Sequence, residues 1–131
     1  MMNTVHAHIG QNKYAVQIKA GKNTLIADEP PEDGGTDTGL SPSELLAAAL
    51  SACTSITLRM YADRKEWPLE AIDVEINIER DETGKKTTIV RKINLTGPLD
   101  EAQKNRLLQI ADKCPIHSVL THPIDIQTSL G

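Results

Sequence analysis

The sequence predicts an α+β fold in which antiparallel sheet and helix are gathered into groups rather than strictly alternating. Three observations carry this expectation. Runs with period-two alternation come in hairpin-linked groups, only two long stretches carry helical periodicity, and the first of these stretches separates one group of strands from the next. The expected order is β-β-β-α-β-β-α-β, an antiparallel sheet with two core helices in one domain spanning residues 1–131.

Thr4 to Ile9 alternates Val5, Ala7 and Ile9 with Thr4, His6 and His8, as a half-buried strand does. Gly10 to Lys13 supplies a turn, and Tyr14 to Lys19 repeats the alternation with Tyr14, Val16 and Ile18. Ala20-Gly21-Lys22-Asn23 then turns the chain into Thr24 to Asp28, completing a meander. Glu29 to Leu40, EPPEDGGTDTGL, is rich in Pro, Gly and Asp and reads as a loop. Its Gly34, Gly35 and Gly39 serve the backbone; the spacing of a phosphate-binding loop is absent. Glu29, Glu32, Asp33 and Asp37 lack calcium-loop spacing and read as a solvated face.

Ser41 to Lys65, SPSELLAAALSACTSITLRMYADRK, reads as one long helix. Ser41 is the N-cap, Pro42 takes the first helical position where a missing N–H costs nothing, and Glu44 completes a capping box. Leu46, Ala49, Leu50, Cys53, Ile56 and Met60 fall on one face, which is the expected core stripe. Leu45, Ala47, Ala48, Ala52, Leu58 and Ala62 make the other faces apolar too, and no charge intervenes between Glu44 and Arg59. Such a helix must be covered nearly all round, by the sheet or by a second subunit. Trp67-Pro68 ends it, because the residue before proline is driven out of the helical region.

Ile72, Val74, Ile76 and Ile78 alternate in a further strand, RDETGK (Arg80 to Lys85) is a loop, and Thr87 to Leu95 returns with Ile89, Arg91, Ile93 and Leu95 on one side. After Gly97-Pro98, Asp100 and Gln103 can cap a second helix from Glu101 to about Lys113, whose stripe is Leu107, Ile110, Ala111 and Cys114. Pro115 stops it, and Ile124, Ile126 and Thr128 alternate in an expected last strand.

Composition excludes several functions. The aromatic side chains are Tyr14, Tyr61 and Trp67, with no Phe, too few for base-stacking platforms. The formal net charge is −4 with acids and bases interspersed, so there is no basic footprint for nucleic acid or an anionic membrane. The N-terminus lacks a basic and an apolar leader region, and no apolar run approaches the ~20 residues of a membrane span. The expectation is a soluble cytoplasmic protein. In that reducing compartment its two cysteines, Cys53 and Cys114, are buried, catalytic or redox-active more often than a permanent staple.

Both cysteines lie on expected core stripes. Two readings stand side by side: small buried hydrophobes with inert thiols, or a redox pair. Cys53 lies mid-helix, beyond the reach of the macrodipole, and Cys114 at a helix C-terminus, where partial negative charge disfavours thiolate. In a redox pair Cys114 is then the poorer first nucleophile and the better resolver of an oxidised Cys53, through a disulfide that external thiols reduce.

PSELLAAALSAC (Pro42 to Cys53), followed far downstream by CPIHS (Cys114 to Ser118), resembles the OsmC/Ohr family of osmotically inducible and organic-hydroperoxide-resistance proteins. The flanking DEP…GGTDTGLSP and TLRMYADRKEWPLE are most similar to its OsmC-like branch. The resemblance implies an intertwined homodimer with the central helices at its interface. It also implies thiol-dependent reduction of organic hydroperoxides, Cys53 attacking the peroxide and Cys114 resolving, with no cofactor or metal. In the family's peroxidases a glutamate after the helix-initial proline pairs with an N-terminal arginine to activate the first thiol. Here Ser43 follows Pro42, and the first forty residues contain no arginine. Glu44 is no replacement: nine residues from Cys53 at roughly 100° each place it about 180° away.

Two other functions fit the residues. A non-catalytic dimer would bind a small hydrophobic ligand in an inter-helix cavity lined by the cysteines. Alternatively Cys114, His117 and His122 have tolerable metal-ligand spacing, with a fourth ligand from Cys53 or a partner chain. His6 and His8 read as exposed.

Overall fold

Alternation becomes strand wherever a neighbouring edge supplies the missing backbone partners. In the computed structural model, which describes residues 2–131, β1 (Val5–His8), β2 (Val16–Ala20) and β3 (Asn23–Ala27) form an antiparallel meander. Val5 lies opposite Ala20, and Val16 opposite Ala27. After a long central helix, β4 (Ala71–Arg80) and β5 (Thr87–Thr96) pair antiparallel over their full length, Ala71 opposite Thr96 and Arg80 opposite Thr87. The α+β class with antiparallel sheets is as expected. The chain divides into two compact units, one through Leu46 and one from Ala47 to Gly131.

In the first unit the loop between β3 and the helix is organised by one carboxylate. Asp28 is buried and accepts hydrogen bonds at Oδ1 from the backbone N–H groups of Tyr14, Glu29 and Thr36, and at Oδ2 from Thr36 Oγ1 and Thr38 Oγ1 (2.6 Å each) and Thr38 N–H (3.1 Å). Asp28 N–H donates to Leu40 O at 3.1 Å, closing the loop at its base. The glycines serve this close packing, since a Cβ at Gly35 would collide with the Glu29 carbonyl and one at Gly39 with the Ile26 carbonyl.

Helix α1 (Pro42–Lys65) begins with the expected capping box: Glu44 N–H donates to Ser41 Oγ at 3.2 Å and Ser41 N–H to Glu44 Oε1 at 2.9 Å. It ends in a Schellman turn. Trp67 N–H reaches Ala62 O at 2.9 Å, Glu66 N–H reaches Asp63 O at 3.1 Å, and Glu66 takes the left-handed conformation at φ 56°. By length and hydropathy α1 is long enough to cross a bilayer, contrary to the expectation from its uncharged run alone. One of its faces is committed to protein, however. Leu50, Thr54, Leu58 and Ala62 are buried, and Leu58 and Ala62 join Leu69, Leu99, Leu107, Ile110 and Ala111 in the core of the second unit.

That buried stripe corrects the expected one. Of the expected stripe Leu50 is buried and Cys53 half-buried, but Leu46, Ile56 and Met60 are 43%, 54% and 60% exposed, so the buried face is turned from the expected one toward Thr54, Leu58 and Ala62. Because apolar residues surround the helix, their spacing could not choose between faces.

Helix α2 (Glu101–Ala111) starts at the expected Asp100–Gln103 capping box, with Gln103 N–H on Asp100 Oδ1 at 2.7 Å and Asp100 N–H on Gln103 Oε1 at 3.0 Å. It stops two residues earlier than expected, and after Cys114 a third helix, α3 (Pro115–Leu120), begins. The expected strand over 124–128 does not form; residues 123–131 have no regular structure, and Ile124 and Ile126 are exposed. Period-two spacing is only a capacity for strand, and among the described residues no sheet edge pairs with it.

The Thr36 and Thr38 hydroxyls, outweighing burial, hold the Asp28 carboxyl well below the usual carboxylate range. A carboxyl depressed on folding stabilises the fold above its ordinary value near ~3.9, and that contribution is lost as pH falls toward the folded value. Amide exchange at Thr36 and Thr38, taken relative to an unstructured peptide at the same pH, should therefore accelerate on acidification below about pH 4. In Asp28→Ala it should already be fast at neutral pH.

Candidate functional site: a buried and a half-exposed thiol

The cysteines are brought together by a break in the chain that α2 cannot cross. Pro115 disfavours helical backbone at the residue before it, and Cys114 accordingly takes φ −60°, ψ 131°. The same proline then occupies the first turn of α3, where no N–H is needed. Cys114 thus becomes the N-cap of α3, and its Sγ accepts a hydrogen bond from His117 N–H at 3.4 Å. This reverses the expectation from sequence: the thiol faces N–H groups at a helix start, not carbonyl groups at a helix end.

Cys114 is fully buried, and Cys53, on the shoulder of α1 beside the buried Thr54, is half-buried. Both are free thiols within hydrogen-bonding reach of each other. Burial pushes the Cys53 thiol up, and so does donation of its proton to Cys114, against weaker support from Ile116 N–H and the Thr57 hydroxyl. At Cys114 burial works the same way but is outweighed by hydrogen bonds from the Cys53 thiol and the N–H groups of His117 and Ile116, with the Thr54 hydroxyl in reach, so its thiol is lowered. The pair titrates as a unit; with one proton gone, the remaining proton belongs on Cys53 and the charge on Cys114.

A cation stands one residue's width behind the pair. The Arg91 guanidinium, from β5, donates to Thr54 Oγ1 at 3.1 Å, to Ala111 O at 3.3 Å and to Asp112 Oδ1 at 2.7 Å. Sequence reasoning put Arg91 on one side of its strand with Ile89, Ile93 and Leu95 and drew nothing from it. An arginine in line with Ile89, Ile93 and Leu95 was the available signal, because a buried guanidinium must find partners.

His117 and His122 do not converge with Cys114. His117 Nε2 lies 3.5 Å from Asp112 Oδ1, and His122 Nδ1 lies 2.6 Å from Ser118 O. Among the described residues no group of three or more His, Cys, Asp or Glu side chains is arranged to hold a metal ion. His6 and His8 are exposed, as expected. A cavity of about 410 Å³ opens between α1, β5 and α3, lined by Leu50, Ile89, Arg91, His117 and Leu120 together with Thr87 and Thr121. Neither cysteine lines it, although Arg91 and His117 border both it and the thiol pair.

Two free thiols meeting between a long central helix and the cap of a short one, with antiparallel hairpins before and after, define a dithiol α+β protein. The chain belongs to the OsmC family, whose description, OsmC-like protein, it matches over residues 35–129. Among solved structures it is similar to an OsmC-like protein from Mycoplasma pneumoniae, with a TM-score of 0.78, 16% identity, and coverage of 92% of this chain and 87% of that one. It is also similar to an organic hydroperoxide resistance protein OsmC from Legionella pneumophila, with a TM-score of 0.68, 25% identity, and coverage of 92% and 90%. The organic hydroperoxide resistance protein OhrB of Bacillus subtilis aligns with a TM-score of 0.64 and 22% identity, over 95% and 94% of the two chains. No curated protein sequence matches the chain significantly. The family, with the Legionella neighbour, supports a redox or stress role.

The proximity of the thiols has a direct readout. Mild oxidation of reduced protein with diamide should remove both free thiols and give an intrachain Cys53–Cys114 disulfide, seen as a loss of two mass units in intact-protein mass spectrometry. Formation of only interchain disulfides would contradict the geometry.

Proposed function

We propose that this protein is a thiol-dependent reductant of organic hydroperoxides in which Cys53 attacks and Cys114 resolves. The observation that carries the reading is the close approach of two free thiols, a half-buried one on α1 and a wholly buried one at the start of α3. Only Cys53 has solvent access in the chain, so it is the sulfur a peroxide meets first. As Cys53 attacks the terminal peroxide oxygen, its proton passes to Cys114, the O–O bond breaks, and the departing alkoxide takes that proton from Cys114 to leave as the alcohol. Cys53 is left as a sulfenic acid. Cys114 then attacks its sulfur, expelling water and forming the disulfide, and two equivalents of an external thiol restore the reduced pair. Acting as proton acceptor, Cys114 supplies activation that mid-helix Cys53 does not receive from the backbone.

The partner we assign is a second copy of the chain. Leu46, Ile56 and Met60 leave one face of α1 open, and an apolar helix face needs cover. Such a dimer, working on a small hydroperoxide and an external thiol reductant, is proposed as a soluble cytoplasmic protein of oxidative-stress defence that needs no cofactor, nucleic acid or membrane. Sedimentation velocity should give twice the chain mass, and Ile56→Glu with Met60→Glu should shift it toward one chain mass.

The cavity of about 410 Å³ favours a second reading, in which an apolar ligand is bound without chemistry. Cumene hydroperoxide separates the two. Added in stoichiometric excess to reduced protein, it should consume both thiols in the wild type, leave Cys114 reduced in Cys53→Ser, and yield a dimedone-trappable sulfenate in Cys114→Ser. Survival of both wild-type thiols for hours would leave ligand binding as the surviving function.

A further inference from the structure

The side chain behind the thiols is built for more than packing. Arg91 is 13% exposed at its side chain, and its exposed partner Asp112 neutralises only one side of the guanidinium. The other side is shared between two acceptors that belong to the thiol site. One is the carbonyl of Ala111, the last residue of α2, which also accepts the N–H of Cys114 at 3.4 Å, so Arg91 offsets partial negative charge on the backbone that holds the sulfur. The other is the hydroxyl of Thr54, the neighbour of Cys53, wholly buried and without access to water.

That hydroxyl has a single proton to give. It is directed to Leu50 O at 2.7 Å, and Cys114 is its other acceptor within reach. A hydroxyl whose oxygen accepts from a guanidinium is a more polar donor, and in a buried setting such chains reinforce each other. When charge develops on Cys114, Thr54 can turn its proton toward the sulfur while Arg91 continues to hold its oxygen.

We propose that Arg91 is the positioning residue of the dithiol: through the Thr54 hydroxyl and the Ala111 carbonyl it holds Cys114 against Cys53 and stabilises negative charge on the pair, with Asp112 as its counterweight. The use of that charge against a peroxide rests on the function proposed above; the charge itself does not. The charged and titratable groups facing the pair are Arg91 from β5, Asp112 from the turn after α2, and His117 from α3, whose ring lies against Asp112. The stretch of α1 from Leu45 to Leu58 contributes no charged side chain, and Lys113 is exposed.

The test is the pH dependence of iodoacetamide alkylation of reduced protein, read at each cysteine by mass spectrometry. Arg91→Gln should move the alkylation midpoint upward by about one pH unit, or about tenfold slower labelling near neutrality. Arg91→Lys should recover part of the shift, since a lysine keeps the charge and loses the fork. Asp112→Asn removes a negative charge from an exposed position and should move the midpoint the opposite way. In a Thr54→Val background the effect of Arg91→Gln should shrink. A purely structural arginine would give no such pairing of opposite signs. Midpoints unchanged in both variants, or displaced in the same direction, would overturn the assignment; if Arg91→Gln does not fold, an unchanged or raised midpoint in Asp112→Asn does so alone. Alkylation requires no peroxide. Opposite shifts in a protein whose thiols ignore cumene hydroperoxide would therefore sink the peroxidase reading and leave Arg91 in its role.

Discussion

A guanidinium largely withdrawn from water has to be neutralised where it stands, and that constraint ties together the parts of this site. Arg91 reaches inward from β5 and meets Thr54 on α1, the end of α2 at Ala111, and the turn residue Asp112. Three segments distant in sequence are pinned at one point, and the two cysteines lie on two of them, next to the pinned residues. An isolated buried charge costs several kcal/mol, so the geometry that satisfies it is strongly preferred over alternatives. The separation of Cys53 from Cys114 is then set by a polar contact with directional demands, in a core that is otherwise small and aliphatic.

Pro115 adds the second constraint. Without it α2 would continue, and Cys114 would remain among the carbonyl oxygens of a helix end. By forcing an extended residue at Cys114 and opening a new helix at once, the proline turns the sulfur toward N–H groups. One covalent feature thereby reverses the local electrostatics of a thiol. The same residue read from sequence as a simple stop, because a proline announces where a helix ends but not whether another begins in the next turn.

What could be read from sequence followed its range. Local hydrogen-bond chemistry was legible: the Ser41–Glu44 and Asp100–Gln103 boxes, the paired runs of β4 and β5, and the glycines of the loop before α1 all occur as expected. Properties that depend on distant partners were not. The buried face of α1 is chosen by what packs on it, and a helix with alanine and leucine on every side offers no internal preference. The alternation of Ile124, Ile126 and Thr128 finds no edge. Asp28 read only as the last residue of the third strand, yet it is the hub of the loop that follows, because Thr36 and Thr38 fold back on it. Cys53 and Cys114 were legible as candidates through their motif; the direction in which a proton passes between them was not, since it depends on the turn at Asp112–Cys114.

The open face of α1 bears on the chemistry as well as on assembly. Cys53 sits between the buried stripe of Leu50, Thr54 and Leu58 and the exposed stripe of Leu46, Ile56 and Met60. Whatever covers the exposed stripe also removes water from around Cys53, and lower polarity penalises a thiolate there more heavily. Cys114, already enclosed and served by the N–H groups of His117 and Ile116, has no water left to lose. Covering the helix therefore widens the difference between the thiols and fixes the proton more firmly on Cys53. In a second copy of the chain that effect would be built into assembly: the protomer alone would hold a weakly polarised pair, and the dimer one in which acceptor and attacking sulfur are distinct before any peroxide arrives.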